Sequence, residues 1–261
     1  MEINLINKTA WVFGASRGIG KAIAIELANA GANILLLARS SQLLNQTKKS
    51  LCTNNNQIHD VLSVDMSNPD SLLKSIKSHH NMHAADIIIN NTGGPPSGMA
   101  HMAELEEYKS AFFQHVLSAQ TVAQVVVPEM KKNGFGRIIN IISTSVKQPI
   151  SGLGVSNTIR GAMGNWSKTM ASELGPFGIT VNNILPGATE TERLSSIIKN
   201  SAAKHNLSSN EVSEKMKNSI PAGRFAKPKE IAYAVTFLCS KQASYINGIN
   251  LPVDGGRTKS L

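Results

Sequence analysis

The chain has 261 residues, of which 41% are hydrophobic and 16% charged, and its formal net charge at pH 7 is +9. This apolar content is enough for a sizeable core, and no apolar run approaches the roughly 18 residues of a membrane helix. The 26 Lys and Arg residues are scattered, without a long run or an interleaved aromatic stripe. That distribution argues against nucleic-acid binding and favours a small anionic ligand.

The chain also lacks the patterns typical of secreted and metal-binding proteins. Its N-terminal segment has no basic region followed by an apolar block, and Cys52 and Cys239 lie far apart without metal-ligand spacing. We therefore expect a cytoplasmic protein with no bound metal and no membrane partner. No linker-like run divides the chain, so we expect one domain over residues 1–261.

The first thirty residues predict a strand, a glycine-rich turn and a helix. Thr9–Phe13 is typical of a short buried strand, Gly14–Gly20 of the turn, and Lys21–Ala30 of the helix. Free backbone N–H groups and the positive end of the helix dipole meet where the turn enters the helix, and they form an anion site. Between this strand and this helix, the glycine pattern predicts nucleotide binding.

Apolar runs then alternate with helix-period segments along the rest of the chain. Six further strands are predicted at 33–38, 61–64, 86–90, 137–142, 179–185 and 249–253. Helices are predicted near 41–53, 69–80, 104–132, 155–174 and 228–240. Continuous Ile, Leu and Val runs indicate strands buried on both faces, and repeated β-α units indicate right-handed crossovers. We expect an α/β fold with a doubly wound, seven-stranded parallel sheet and helices on both faces.

Ligands of such sheets bind beyond the carboxyl ends of the strands, which selects one rim of the molecule. The cofactor-binding candidates on this rim are Gly14, Ser16, Arg17, Gly18, Ile19, Gly20, Arg39, Ser40, Asp65, Met66, Asn91, Thr92, Gly93, Pro186, Gly187, Thr189 and Thr191. An acidic residue after the second strand would bind a ribose 2′-hydroxyl. Arg39 stands there instead, and with Arg17 it favours a 2′-phosphate, which predicts NADP(H) rather than NAD.

These motifs, in this order, resemble the short-chain dehydrogenase/reductase superfamily over nearly the whole chain. The similar elements are Gly14-x-x-x-Gly18-Ile19-Gly20, Asn90-Asn91-Thr92-Gly93 for the family's Asn-Asn-Ala-Gly, Gly136–Asn140 leading to Ser143, and Ile179–Asn182 followed by Pro186-Gly187. Pro221–Phe225 and Val253–Gly256 resemble the tail of 3-oxoacyl-(acyl carrier protein) reductases. The resemblance implies a single-domain Rossmann fold and an NADPH-dependent oxidoreductase of a ketone or a 3-oxoacyl thioester, the latter on acyl carrier protein. It also implies a homotetramer or homodimer.

The catalytic residues depart from the family pattern. Family reductases use Asn, Ser, Tyr and Lys, and the last two are spaced Tyr-x-x-x-Lys. By the same spacing Ser156 and Arg160 replace Tyr and Lys, and His115 replaces Asn, so that only Ser143 remains. The resemblance makes these four the catalytic candidates. Ser143 would polarise the carbonyl, Arg160 would hold the nicotinamide ribose as a further cofactor-binding residue, and His115 or a water would deliver the proton.

Several alternatives stay open at this stage. His115 is either catalytic or simply packed inside its helix. Residues 190–220, with helical patterning at 193–200 and 211–218, form either a substrate lid or a dimer-packing helix pair. The loss of Tyr leaves three functions: the NADPH-dependent reductase, a catalytically lapsed NADP(H)-binding sensor or scaffold, and a non-redox lyase or isomerase. Retention of Ser143 beside Arg160 favours the reductase.

Overall fold

The computed structural model describes residues 2–80 and 83–260, and seven parallel strands form its centre. The strands are β1 Thr9–Phe13, β2 Asn33–Ala38, β3 His59–Ser63, β4 Ile87–Asn91, β5 Gly136–Ile141, β6 Ile179–Pro186 and β7 Asn250–Val253. They are arranged in the order β3-β2-β1-β4-β5-β6-β7, and each neighbouring pair is parallel. The predicted seven-stranded parallel sheet of a Rossmann fold is thereby confirmed.

Helices cover both faces of this sheet. They are α1 Gly18–Asn29, α2 Ser41–Lys48, α3 Pro69–His80, α4 Leu105–Phe112, α5 Ser118–Asn133, α6 Gly154–Leu174, α7 Glu192–His205, α8 Ser209–Asn218 and α9 Pro228–Cys239. One core packs α1 and α9 against Val12 and Leu36, and the other packs α3 and α5 against Trp11 and Leu35. Alternate residues of a strand point to opposite faces, which explains the two cores. Within the described ranges, no helix is long and apolar enough to cross a membrane.

The helix predicted at 104–132 is helical from Leu105 to Asn133, but it is not α-helical throughout. It begins as α4, passes through a π-helical turn at Phe113–Leu117 and continues as α5. A π-helical turn inserts one extra residue per turn, so it rotates the side chains that follow it and frequently marks a functional site. Hydrophobic periodicity does not reveal this insertion, because the apolar face resumes beyond it.

Smaller differences concern where elements begin and end. The first helix begins at Gly18 rather than Lys21, because its first turn is built from the glycine-rich segment itself. The second helix ends at Lys48 rather than residue 53, and the third strand begins at His59 rather than residue 61. The first insert helix continues to His205, where Asn206 closes it in the left-handed conformation. None of these shifts moves a predicted site residue away from the rim.

A buried row of polar side chains fixes the strands beneath the site. Asn140 on β5 accepts a hydrogen bond from Asn90 on β4 at 2.8 Å and donates one to Asn183 on β6 at 3.1 Å. Its amide also lies 2.8 Å from the hydroxyl of Ser167 on α6. Because buried polar groups are costly when unpaired, these bonds fix the position of α6 against β5.

Candidate active site

The turn between β1 and α1 leaves backbone donors free at one end of the sheet. Gly14 has a φ of 62°, a left-handed conformation that suits glycine. Arg17 precedes α1 in an extended conformation, and its side chain does not cap the helix. The first N–H groups of α1 are therefore available to an anion, and the helix dipole adds to the attraction. This arrangement fits the diphosphate of a dinucleotide.

Asn91, at the end of β4, connects this turn to the neighbouring strand. Its Nδ2 atom donates to the carbonyl oxygens of Phe13 at 3.2 Å and Gly14 at 3.4 Å. A Cβ at Gly20 would lie 2.7 Å from the same Nδ2 atom, so glycine is required there for close packing. The carbonyl oxygens of Phe13 and Gly14 thus connect the turn to the end of β4.

The structure places every predicted cofactor-binding residue at the carboxyl end of a strand or in α6. Gly14, Ser16, Arg17, Gly18, Ile19 and Gly20 follow β1; Arg39 and Ser40 follow β2; Asp65 and Met66 follow β3; Asn91, Thr92 and Gly93 end or follow β4; and Pro186, Gly187, Thr189 and Thr191 end or follow β6. Because all seven strands are parallel, these residues share one rim. A Cβ built at Gly18 would lie 3.2 Å from Thr191 Cγ2, so the first and last groups of this set meet across the rim.

The two arginines assigned to a 2′-phosphate are arranged differently from each other. Arg39 is exposed beyond β2, and Ser40 caps α2 by accepting a hydrogen bond from the Leu43 N–H at 3.4 Å. Arg17 instead forms an ion pair with Glu192, the first residue of α7, and both side chains are largely exposed. Exposed pairs contribute only about 0.2–1 kcal/mol, so this one is readily exchanged for a ligand phosphate.

Ser143 lies on the same rim, two residues beyond the end of β5. Its Oγ accepts a hydrogen bond from the Ser145 N–H at 3.1 Å, and the side chain is half-buried. The hydroxyl proton of Ser143 has no acceptor within residues 2–80 and 83–260. A hydroxyl that accepts from the backbone keeps its own O–H for a ligand, so Ser143 can donate to a carbonyl oxygen.

Ser156 and Arg160 lie one helical turn apart on the buried face of α6. The Arg160 guanidinium donates from Nη1 to the carbonyl oxygen of Ile141 at 2.9 Å, while its Nε–H has no partner among the described residues. Burial, and then the charge of Arg193, lowers the pKa of Arg160 to about 10, so it is still protonated at neutral pH. A fixed cation with a free donor is suited to holding a ribose hydroxyl.

His115 lies in the π-helical turn, 4% exposed, and its Nδ1 atom shares a hydrogen bond with the Thr92 hydroxyl. Burial, with the charges of Arg160 and Arg193, lowers the pKa of His115 to about 2. The imidazole is therefore neutral throughout the physiological range. The expectation that His115 titrates near neutral pH is wrong, because a charged ring would be desolvated beside two cations. His115 can therefore act only as a neutral group that donates or accepts hydrogen bonds.

None of the three tyrosines has a hydrogen bond to the catalytic candidates in the described ranges. Tyr108 on α4 is half-buried against the apolar cluster between α4 and α6. Tyr233 is 52% exposed on α9, and Tyr245 is 101% exposed, which places it entirely in solvent. The sequence spacing placed Ser156, and not a tyrosine, at the position of the family's phenolic acid. The hydrogen bonds of the described residues agree with that prediction.

Sequence reasoning missed two partners of the candidate residues. Thr92 was assigned to the cofactor only, yet its hydroxyl pairs with His115. Arg193 was treated only as the start of an insert helix, yet its guanidinium lies 3.3 Å from the carbonyl oxygen of Gly94. The sequence signal for both was available, since Thr92 stands where the family has Ala and Arg193 follows the Thr189–Thr191 loop by two residues.

The insert forms two helices, α7 and α8. Leu194, Ile220 and Phe225 make a small apolar cluster of their own, against which Met216 packs. Ion pairing between Glu192 and Arg17 and the contact of Arg193 with Gly94 join the pair to the rim. Both contacts are at the α7 end of the insert, which is therefore the point where the insert is attached to the rim. The lid interpretation stays a prediction.

Comparisons with known proteins agree with this geometry. The family described as enoyl-(acyl carrier protein) reductase matches residues 14–258. The NADPH-dependent reductase BacG of Bacillus subtilis is 31% identical over 258 residues, which cover 97% of this chain and 99% of BacG. The 3-oxoacyl-(acyl carrier protein) reductase FabG of Aquifex aeolicus is 30% identical over 258 residues, or 98% of this chain and 99% of FabG.

Solved structures give the same result. YwfH, described as an NADPH-dependent reductase involved in bacilysin biosynthesis, superposes with a TM-score of 0.92 at 30% identity, covering 97% of this chain and 99% of YwfH. The L-sorbose reductase of Gluconobacter frateurii, solved with NADPH and L-sorbose, superposes with a TM-score of 0.93 at 30% identity, covering both chains completely. The glycine-rich turn, the strand order and these full-length matches agree: the chain belongs to the short-chain dehydrogenase/reductase family.

Proposed function

We propose that this protein is an NADPH-dependent reductase of a ketone or a 3-oxoacyl thioester that works without the phenolic acid of its family. The observation that carries the proposal is that two departures from the family pattern, Thr92 and His115, contact each other. The buried charge of Arg160 also lowers the pKa of His115. Unrelated losses would leave isolated gaps, whereas these two residues pair with each other and Ser143 is retained.

The predictions of an enzyme and of NADP(H) are confirmed by the relatives, which include NADPH-dependent reductases and a reductase solved with NADPH. When bound, this cofactor supplies a hydride to the carbonyl carbon. The residues that would hold it are the β1–α1 turn, Arg39 with Ser40, Asn91 and Arg160. The free N–H groups of α1 fit its diphosphate, and the free Nε–H of Arg160 fits a ribose hydroxyl.

Three of the four catalytic candidates have a defined task. Ser143 donates a hydrogen bond to the carbonyl oxygen of the substrate and draws negative charge onto it. Arg160 is protonated and raises the local positive potential, but a guanidinium does not relay protons. Neutral His115 fixes Thr92 and the loop after β4. The proton that the oxygen needs comes from water, since the environment of His115 excludes an imidazolium as its source.

Two further features of the proposal concern partners. The substrate is a small-molecule carbonyl compound or an acyl thioester. The thioester would be attached to acyl carrier protein, which the name of the FabG relatives gives for those proteins. The assembly is a homotetramer or homodimer built on α4, α5, α6 and β7. Phe112 and Phe113, at the junction of α4 and the π-helical turn, are 40% and 43% exposed, and an assembly would cover them. Light scattering on the purified protein tests this assembly directly.

The test is a nicotinamide absorbance assay with NADPH and a panel of diketones, quinones and 3-oxoacyl thioesters. We expect turnover in the wild-type protein and a loss of about 10²-fold or more in Ser143→Ala, the magnitude of removing one oxyanion donor. Ser151→Ala is the matched control, because Ser151 is exposed in the same loop. Tight NADPH binding with no turnover across the panel would instead identify a sensor or scaffold.

A second test restores the family residues. The double variant Ser156→Tyr with Arg160→Lys should raise kcat, because it adds a phenolic acid and the lysine that lowers its pKa. General acid catalysis contributes about 10²–10⁴ in rate, which is the upper range of the gain. A double variant that binds NADPH but stays inert would show that α6 is aligned wrongly with the family motif.

A further inference from the structure

Two arginines from different helices converge on one point beside the cleft. Arg193 of α7 donates from Nη1 to the carbonyl oxygen of Gly94 at 3.3 Å and from Nη2 to that of Pro95 at 3.5 Å. A Cβ built at Gly94 would lie 2.7 Å from Arg193 Nη2 and 3.6 Å from Arg160 Nη2. The two guanidinium groups are thus no further apart than the sum of these distances.

No acid neutralises this pair. Among the described residues, neither Arg160 nor Arg193 has a carboxylate oxygen within 4.0 Å, and Glu192 next to Arg193 is paired with Arg17 instead. Arg160 is 6% exposed, whereas Arg193 is exposed. A buried cation beside a second cation is unfavourable unless an anion joins them. The arrangement is therefore that of an anion site.

The position of the site selects which anion enters it. The residues expected to hold the 2′-phosphate follow β2, and those expected to hold the diphosphate follow β1. Arg160 instead contacts the carbonyl oxygen of Ile141 on β5, which is separated from β1 by β4. Ile141 is two residues before Ser143, or about 7 Å along an extended chain. Arg160 is therefore fixed to the strand that leads to Ser143, the residue that polarises the substrate carbonyl.

We propose that Arg193, supported by Arg160, binds a carboxylate of the substrate, and that the substrate is a small keto acid. A guanidinium presents paired donors to a carboxylate, and the two long contacts of Arg193 to backbone carbonyls are weak enough to be replaced. This inference rests on the proposed reductase function and deepens it, because it names the substrate class.

The test compares two probes that share a carbonyl and differ in charge: acetoacetate and methyl acetoacetate. Calorimetry measures their binding to the protein saturated with NADP⁺, and the absorbance assay measures their reduction by NADPH. We expect wild-type protein to prefer acetoacetate, and Arg193→Gln to weaken acetoacetate binding by about tenfold or more, since hydrogen bonds to charged groups contribute about 1.5–3 kcal/mol. Methyl acetoacetate should change by less than about twofold, because it carries no charge for Arg193 to bind.

Lys199→Gln is the matched control, because Lys199 is exposed on the same helix and its loss changes the net charge equally. It should leave the preference for acetoacetate intact. The inference is overturned if the wild type binds both probes equally or neither, or if Arg193→Gln weakens NADPH binding as much as acetoacetate binding. The proposed reductase function fails by a different result: the wild type binds NADPH, but none of the carbonyl compounds in the panel causes NADPH to be oxidised.

Discussion

At the scale of single residues, the site depends on the pairing of Thr92 with His115. The histidine is buried and neutral, so one of its ring nitrogens needs a partner inside the protein. Thr92 supplies that partner from the loop after β4. Neither residue follows the family pattern. The buried histidine requires a hydrogen-bond partner, and the threonine hydroxyl provides it.

Replacing Thr92 by Val tests this pairing, because Val keeps the shape and removes the hydroxyl. An unsatisfied buried group costs about 1–3 kcal/mol, so we expect Thr92→Val to lower the free energy of unfolding by that amount in urea titrations. Thr158→Val is the control, since the Thr158 hydroxyl is exposed and bonds only within its own helix. Equal effects of the two variants would contradict the pairing.

The low pKa of His115 gives a second prediction at this scale. In NMR spectra, the ring resonances of His115 should show no titration between pH 5 and 8, because burial keeps the imidazole neutral there. A His115 midpoint near 6.5 would restore it as a proton donor.

At the scale of elements, α7 joins the insert to the cofactor rim through the Glu192–Arg17 pair. Arg17 is committed to this pair while also being the residue predicted to bind the 2′-phosphate. The helix that joins the insert to the rim therefore competes with the cofactor for one cation. Exposed ion pairs are weak, so this competition affects affinity without blocking binding.

We accordingly expect Glu192→Gln to tighten NADPH binding about two- to fivefold, with a smaller effect on NADH, which lacks the 2′-phosphate. Fluorescence titration of both nucleotides measures this difference. Glu214→Gln, which removes an exposed pair with Lys217 on α8, should change neither affinity. Equal tightening of NADPH and NADH would mean that Arg17 does not distinguish the two cofactors.

At the scale of the whole molecule, buried histidines at the opposite end of the sheet make the fold sensitive to acid. His59 accepts a hydrogen bond at Nδ1 from the Ile34 N–H at 3.1 Å, while its Nε2 lies 2.8 Å from the carbonyl oxygen of Cys52. A protonated ring could not accept the first bond. Burial lowers the pKa of His59, His79 and His80 below the usual 6.5.

The sign of the effect follows from these directions. The unfolded chain takes up protons near pH 6.5 while the folded chain does so only at lower pH, so stability is full above 6.5 and falls as pH drops below it. Each histidine adds at most about 1.4 kcal/mol per pH unit to that slope. Urea unfolding from pH 7.5 to 5 measures it, and His59→Gln should reduce it. A pH-independent free energy of unfolding would contradict this account.

The sequence predicted the strands and most of the helices along the chain well, for a physical reason. Buried strands, glycine turns and helix starts are local signals, and β1, β2 and the Gly14–Gly20 turn were found from them. The π-helical turn was not, because one inserted residue leaves no trace in hydrophobic periodicity. The Thr92–His115 pair and the Arg160–Arg193 pair were also missed as pairs, since each joins segments far apart in the chain.

The central claim is that reduction proceeds here without a tyrosine as the acid. A variant in which Tyr108, Tyr233 and Tyr245 are all replaced by Phe tests it most directly, because it removes every phenol of the chain, including those of any neighbouring copy. The absorbance assay with NADPH measures kcat. We predict that the triple variant retains kcat within about twofold, because no general acid has been removed. A fall of about 10²–10⁴, the contribution of a general acid, would show that a tyrosine supplies the proton after all.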